Sequence, residues 1–405
     1  MKNLIIMTSC VVLLFSCETR NVSGTMFKDD VDFLKRFTDV IILSVDEHAQ
    51  IAVSPDMQGR VMTSTATGAN GLSYGWINRE LFESGENNKH INAFGGEDRF
   101  WLGPEGGQFS IFFKKGEPFD LEHWWTPAPI NEGSYDVVDQ SAAHVRFNKN
   151  MQLENYSGTR FDVELNRTVR LLSDEQTAAR FGYPFADVDM VAFESENIIT
   201  NRGENAWDKE TGMLSIWILG MYNPSPATTI VIPFIAGPES QLGPPVNDAY
   251  FGNVPQDRLV VKEDILFFRG DGEYRSKIGI SPYRAKDILG SYDATNKVLT
   301  LVTYNKPDQV YDYVNSMWEI QQEPFAGDVV NSYNDGPPVP GAKPMGPFYE
   351  LETSSPAAAL APGESLTHRH TTVHIQADEP VLSQIAESIL GVSIEDIKAA
   401  FSVED

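Results

Sequence analysis

The chain has 405 residues, of which 41% are hydrophobic and 22% charged, and its formal net charge is -26 at pH 7. A surface this acidic repels nucleic acid and anionic membranes at long range, so neither is expected as a partner. The two cysteines, Cys10 and Cys17, both lie near the N-terminus, which excludes disulfides and cysteine-ligated metals from the rest of the chain.

The N-terminus has the pattern of a lipoprotein signal. Lys2 provides a positive start, and residues 4–15 are apolar but shorter than the about 20 residues that a membrane-spanning helix needs. Leu-Phe-Ser-Cys, ending at Cys17, is similar to a lipobox. We therefore predict a signal peptide over residues 1–16 and a lipid anchor on Cys17. An ordinary cleaved signal with an incidental cysteine is the alternative.

The remaining chain is predicted to form a tether over residues 17–29 and one domain over residues 30–405. Large all-β folds often exceed the usual length of a single domain, and neither a repeat nor a low-complexity linker divides the sequence. The expected location is the periplasm or the cell surface of a Gram-negative bacterium. We expect a monomer that contacts the membrane through its N-terminal lipid only.

A short helix is predicted over residues 30–37, and a long series of strand-like segments follows, separated by Gly, Pro, Asn and Asp. The predicted strands are 41–43, 50–54, 60–65, 109–113, 135–138, 144–148, 161–172, 188–200, 213–221, 228–234, 259–262, 265–269, 277–280, 288–293 and 298–304. This succession indicates an all-β fold, a large antiparallel β-sandwich. Helical spacing over residues 380–401 predicts a C-terminal helix on the sandwich edge.

Two segments have residues that suit sugar binding. In residues 95–107, glycine pairs flank Arg99 and Trp101, which offer hydrogen-bond donors to hydroxyls and a flat apolar face to a sugar ring. In residues 119–129, His123, Trp124 and Trp125 precede prolines that end regular pairing, as in the wall of a carbohydrate cleft. The alternatives are a tight turn in the first segment and core tryptophans in both.

Residues 331–338 read as a turn, although Tyr333 and Asp335 could line the same cleft. Residues 215–221 read as a buried strand with Trp217 in the core.

Paired acid and base groups are predicted over residues 346–376, which read as two neighbouring antiparallel strands. Alternation places Glu350 and Glu352 on one face of the first strand, and His368, His370 and His374 on one face of the second. Together they could supply a general acid and a general base to one cavity. Strand residues two and four apart are about 7 Å and 13 Å apart, so the three histidines cannot share one ion. No metal or other cofactor is predicted.

The same segment resembles the galactose mutarotase-like (aldose 1-epimerase-like) superfamily, through Leu351-Glu352-Thr353 and the turn Pro362-Gly363-Glu364-Ser365-Leu366. Residues 95–107 and 215–221 are similar to those of Bacteroidota lipoproteins of this fold. The resemblance implies a supersandwich in which Glu352 is the base, with Glu350 the next choice. It implies His368 or His370 as the acid and Arg99 as a contact of sugar hydroxyls.

One departure from the superfamily concerns its catalytic histidine, which a strand of the Leu-Thr-Asn-His type carries. This chain has Ile199-Thr200-Asn201-Arg202, and arginine stays protonated, so it cannot act as a general acid. We predict that Arg202 binds an anionic sugar such as a uronate. A surface ion pair is the alternative.

The sequence thus predicts a carbohydrate-active lipoprotein of polysaccharide utilisation, an enzyme that epimerises a sugar or cleaves a glycosidic bond. Signatures of nucleotide binding and of serine or zinc-dependent hydrolysis are absent from the sequence. The alternative is a surface lipoprotein that binds glycans without catalysis.

Overall fold

The computed structural model describes residues 24–402. Its helices are α1 (Phe27–Leu34), α2 (Arg79–Ser84), α3 (Ala128–Asn131), α4 (Asp174–Phe181), α5 (Glu239–Leu242), α6 (Glu379–Ile389) and α7 (Ile394–Ala399). Its strands are β1 (Ile41–Ser44), β2 (Gln50–Ser54), β3 (Arg60–Thr65), β4 (Arg99–Gly103), β5 (Asp136–Gln140), β6 (His144–Glu154), β7 (Arg160–Leu171), β8 (Asp189–Asn201), β9 (Ser215–Tyr222), β10 (Thr228–Pro233), β11 (Leu259–Val261), β12 (Ile265–Arg269), β13 (Ser276–Ile280), β14 (Ile288–Asp293), β15 (Val298–Tyr304), β16 (Val330–Asn334), β17 (Tyr349–Ser354) and β18 (Ser365–Gln376). None of these helices is long and apolar enough to span a membrane.

The strands form three sheets whose ladders are antiparallel. A ten-stranded sheet has the order β11-β12-β10-β14-β15-β18-β8-β7-β6-β5, and a five-stranded sheet has the order β13-β16-β17-β9-β4. The strands β1, β2 and β3 make the third sheet. Inward side chains of the two large sheets pack together, such as Leu351 of β17 with Val302 of β15. The predicted all-β antiparallel sandwich is confirmed.

Burial follows the alternation expected of strands in the ten-stranded sheet. Along β7, every second side chain from Phe161 to Leu171 is buried and those between are partly exposed. By contrast, all residues of β9 and β4 are buried. Strands buried on both faces belong to a sheet that is covered on both sides. The five-stranded sheet is covered on its outer face by loops, and the functional cavity lies beneath them.

A fully buried ion pair links the two large sheets. Arg167 of β7 donates to Asp98 Oδ1 at 2.6 Å and to Asn197 Oδ1 at 2.5 Å, and it also reaches the carbonyl of Gly59 at 3.0 Å. Arg167 and Asp98 are both 0% exposed. Because Asp98 immediately precedes β4, this contact fixes where that strand begins.

The helices differ in detail from those predicted. Helix α1 begins at Phe27, within the predicted tether, because Phe27, Val31 and Leu34 form its buried face. The predicted C-terminal helix is two helices, separated where Gly391 takes a positive φ of 78°. These helices pack on the outer face of the ten-stranded sheet rather than on its edge, against residues such as Leu301 and Val373. The predicted signal and Cys17 lie outside the described residues.

Three strand predictions need correction. Residues 109–113 are a loop in which Phe112 packs into the core, so no strand forms there. Strand β4 forms in the segment predicted to bind sugar or to make a tight turn, and strand β16 forms where a turn was expected. Finally, β17 and β18 are not neighbours in one sheet: β17 pairs with β16 and β9, whereas β18 pairs with β15 and β8.

Candidate functional site

The outer face of the five-stranded sheet brings charged side chains together. In the register of the sheet, Leu219 of β9 pairs with both Arg99 and Glu352, which places all three on one face. Two residues along β17, Glu350 pairs with Tyr333, and Tyr333 pairs with Lys277. Since alternate residues of a strand share a face, five strands converge on this surface.

A cavity of about 290 Å³ lies on this face. Its volume is typical of the low end of small-molecule sites. The lining combines charged residues with many aromatic ones. It consists of Ile91, Arg99, Trp101, Glu105, Leu121, Trp124, Trp217, Leu219, Met221, Tyr250, Phe251, Arg275, Lys277, Ser316, Met317, Trp318, Tyr333, Met345, Phe348 and Glu350.

Glu352 lies at the base of this charged surface, held by two donors. Lys277 Nζ donates to Glu352 Oε2 at 3.0 Å, and Trp217 Nε1 donates to the same oxygen at 2.8 Å. Burial opposes a charge on Lys277, but the carboxylates of Glu352, Glu105 and Glu350 outweigh it and raise the pKa of Lys277. The Lys277 ammonium also lies 4.6 Å from the centroid of the Trp217 ring. Glu352 thus receives one charge-assisted hydrogen bond and one from an indole N–H, both on the same oxygen.

Glu350 lies in a different electrostatic environment. Burial and the neighbouring Glu352 carboxylate raise the pKa of Glu350 to about 8, although Arg99 and Lys277 oppose the shift. Its closest cation is Arg99, whose Nη2 lies 3.5 Å from Glu350 Oε1. At neutral pH, Glu350 is therefore mainly the neutral acid, which can donate a proton. Two carboxyls in different environments, one bonded to a lysine and one with a raised pKa, are an arrangement that suits acid and base catalysis.

Glu105, from the loop after β4, adds a third carboxyl to the cavity wall. Burial raises the pKa of Glu105, while Lys277 and a hydrogen bond from Trp318 act against the rise.

Several buried polar atoms at the site have no partner in the protein. They are Arg99 Nε and Nη1, Glu352 Oε1 and Trp124 Nε1. An unsatisfied buried donor or acceptor costs about 1–3 kcal/mol, so native proteins keep few of them without a ligand or water. Donors and an acceptor beside one aromatic cavity fit a ligand that carries several hydroxyl groups.

Five of the residues predicted for the site are found here. Glu350, Arg99, Trp101 and Trp124 line the cavity, and Glu352 binds its lining residues Lys277 and Trp217. Arg99 is stacked on Trp101, with its guanidinium carbon 4.2 Å from the ring centroid.

The predicted acids, His368 and His370, do not reach the cavity. They lie on the inner face of β18, where both bond to Thr353 Oγ1 at 2.8 Å. Thr353 is on the opposite face of β17 from Glu350 and Glu352, so the sheet separates the two sets. Burial lowers the pKa of His368 to about 3 and that of His370 to about 4, which keeps both neutral. His374 is also internal and binds Glu97 Oε2 at 2.8 Å.

Three other predicted contacts also lie elsewhere. His123 is bound to Asp120 at 2.7 Å in the loop over the cavity but does not line it. Trp125 stacks on His90, with ring centroids 3.9 Å apart. Arg202 is 56% exposed and paired with Glu164, the surface ion pair that was the alternative prediction.

Sequence reasoning missed other lining residues, notably Lys277, Arg275, Tyr250 and Trp318, and took Trp217 for core. Tyr333, placed in a predicted turn that could line the cleft, does line the cavity, but from strand β16. Lys277 had one usable signal, because a lysine in an otherwise apolar strand must find a buried partner. Within residues 24–402, no group of three His, Cys, Asp or Glu side chains is placed to hold a metal ion.

The fold is that of the galactose mutarotase-like superfamily. It is shared with a candidate aldose 1-epimerase from Escherichia coli K12, at a TM-score of 0.51 and 13% identity, covering 83% of this chain and 99% of that chain. A galactose mutarotase-like protein from Lactobacillus casei aligns with a TM-score of 0.48 and 10% identity over 84% of this chain and 100% of its own. A candidate mutarotase from Salmonella typhimurium aligns with a TM-score of 0.46 and 12% identity, over 86% of this chain and 100% of its own.

At these identities the likeness is one of fold. The chain itself belongs to the family of unknown function DUF6786, whose profile matches residues 25–401. No curated protein matches the sequence.

Proposed function

We propose that this protein is a carbohydrate-active enzyme that acts on a sugar or oligosaccharide by general acid and base chemistry. The observation that carries the proposal is the set of unpartnered polar atoms on Arg99 and Trp124, which line one aromatic cavity, and on Glu352, which binds two of its lining residues. Sugars combine hydroxyl groups with apolar ring faces, and Trp101 and Trp217 offer flat surfaces to such faces. The reaction is either epimerisation or cleavage of a glycosidic bond.

The residues would divide the chemistry between them. Glu352, which accepts hydrogen bonds from Lys277 and Trp217, is the base, and its unpartnered Oε1 accepts the proton. Glu350, whose pKa is about 8, takes the role of the acid that the sequence had given to His368 or His370. Arg99 positions the sugar through the nitrogens that lack a partner. A well-placed acid or base contributes about 10²–10⁴-fold to a reaction rate.

A sugar-binding protein without catalysis is the second candidate. The observation in its favour is that β9, the neighbour of the glutamate strand, presents Trp217, Leu219 and Met221 to the cavity, none of which transfers protons. Binding of a sugar with no exchange or product on long incubation would favour this reading.

The test measures binding and turnover on one panel. Thermal shift would record binding of aldoses, uronates, and plant and algal oligosaccharides, and NMR would record anomeric exchange and released products. Glu352→Gln is expected to lower turnover of a responsive sugar by about 10²-fold or more, because the base is lost. Glu164→Gln, which affects an ion pair outside the cavity, is the matched control. Unchanged turnover in Glu352→Gln would remove Glu352 from the mechanism.

We also propose that the protein is a lipoprotein anchored by Cys17 and used in polysaccharide utilisation. Acylation through the Cys17 sulfur would supply the anchor, so Cys17→Ser is expected to move the protein from the membrane to the soluble fraction. Fractionation followed by immunoblotting measures this. Continued membrane partitioning of the variant would contradict the lipobox.

A further inference from the structure

The cations of the cavity are not equally neutralised. Lys277 has a close carboxylate partner in Glu352, at 3.0 Å. Arg99 differs, because the one carboxyl within 4 Å of it, among residues 24–402, is Glu350 at 3.5 Å. Burial and the Glu352 charge raise the pKa of Glu350 to about 8, so at neutral pH this carboxyl is mainly protonated and offers Arg99 little charge.

Arg99 is also buried, at 3% exposure, with its Nε and Nη1 unpartnered. Stacking on Trp101 holds its guanidinium in place but supplies no negative charge. A buried cation with no fully charged partner in contact is costly, and a bound anion would reduce that cost. Arg275, on the opposite edge of the sheet, adds positive potential to the cavity. Its guanidinium carbon lies 3.7 Å from the centroid of the Phe251 ring.

The carboxyls of Glu105 and Glu352 also favour the charged form of Arg99, but in the described part of the chain neither forms an ion pair with it within 4 Å. Burial raises the pKa of Glu105, which weakens its contribution. Arg99 therefore has no contacting carboxyl other than Glu350 among the described residues, and two of its guanidinium nitrogens are open to a ligand.

We propose that the cavity binds a sugar with a single negative charge, a uronate, whose carboxylate pairs with Arg99. The inference rests on the proposed function and names its substrate class. The acidic surface of the protein does not prevent binding, because long-range repulsion is screened by salt whereas paired hydrogen bonds at short range are not.

The first experiment compares D-galacturonate and D-glucuronate with their methyl esters by calorimetry at pH 7. The esters keep the shape and remove the charge. We expect each acid to bind about tenfold more tightly than its ester, the effect of one charge-assisted hydrogen-bonded contact. Arg99→Gln is expected to abolish this preference, whereas Arg202→Gln, at the surface ion pair, should retain it.

The second experiment uses the wild type alone, so it does not depend on the folding of a variant. Above pH 8, Glu350 ionises and competes with the ligand for Arg99, and the groups that face it are Arg99, Lys277, Glu352 and Asp335. The preference for the acid is therefore expected to fall from about tenfold at pH 7 to about threefold or less at pH 9.5. The ester should bind equally at both values.

Equal affinity for acid and ester at pH 7, or a preference that survives both Arg99→Gln and high pH, would overturn the inference. If either result is found but neutral sugars are still turned over, the proposed enzymatic function stands and only the preference for a uronate is lost. If no sugar of either kind binds, both fail together.

Discussion

Replacing Glu350 by glutamine is expected to lower turnover by about 10²–10⁴-fold, the loss associated with removal of a general acid. Glutamine keeps the size of the side chain and a neutral amide but has no proton to transfer. Because the wild-type acid has a pKa of about 8, activity should be present below pH 8 and should decline as the pH rises through that value. The residual activity of Glu350→Gln should lack this decline.

The stability of the folded protein gives an independent measure of the raised pKa of Glu350. Its pKa is raised in the folded state, so the folded protein binds the proton more tightly than the unfolded chain does. The stability associated with it is complete below the ordinary glutamate pKa and is lost as the pH rises through about 8. Above pH 8, the urea concentration at the midpoint of unfolding should therefore be higher for Glu350→Gln than for the wild type. Glu196→Gln, which affects the Arg369 pair at 2.7 Å, is the control and should leave the pH profile of activity unchanged. If Glu350→Gln kept the wild-type pH profile of activity, Glu350 would not be the general acid.

Arg167→Met is expected to destabilise the fold by about 3–5 kcal/mol, the usual cost of leaving one member of a buried ion pair alone. The change strands Asp98, which is 0% exposed, and removes the contacts to Asn197 and the Gly59 carbonyl. Urea denaturation followed by tryptophan fluorescence would measure the loss.

The double variant Arg167→Met with Asp98→Asn separates charge from packing. It should recover part of the lost stability, because the stranded charge is gone. Arg160→Met, at the exposed pair with Glu154, should change stability by less than about 1 kcal/mol. If Arg167→Met proved as mild as this control, the buried pair would not hold the sheets together.

Strand alternation allowed most of the sandwich to be predicted, because apolar residues recur at every second position in strands such as β7. The two strands that were missed, β4 and β16, are both in the sheet that carries the cavity. Their glycines, asparagines and charges are typical of turns, yet here they face a ligand-sized space or the opposite core. Positions where local rules fail are often functional.

The candidate site could be predicted only in part for a related reason. The alternation of β17 correctly placed Glu350 and Glu352 on one face. It could not show which strands lie beside them, and the short segment between β17 and β18 crosses from one sheet to the other instead of turning within one. His368 and His370 were therefore assigned to a cavity from which a sheet separates them. Lys277 came to the site from a strand more than seventy residues earlier in the chain, which no local pattern reveals.

The central position of β17 in its sheet has a consequence for how the molecule folds. Its partner β16 is near in sequence, whereas β9 is distant and Arg99 is farther away still. The cavity therefore exists only when long-range pairings of the chain are complete. Such pairings form late, because loop closure must precede them. Trp217 lies between Lys277 and Glu352, so the change in its fluorescence should come late in refolding. A nascent chain that ends before Tyr349 lacks β17 and therefore has no cavity and no activity.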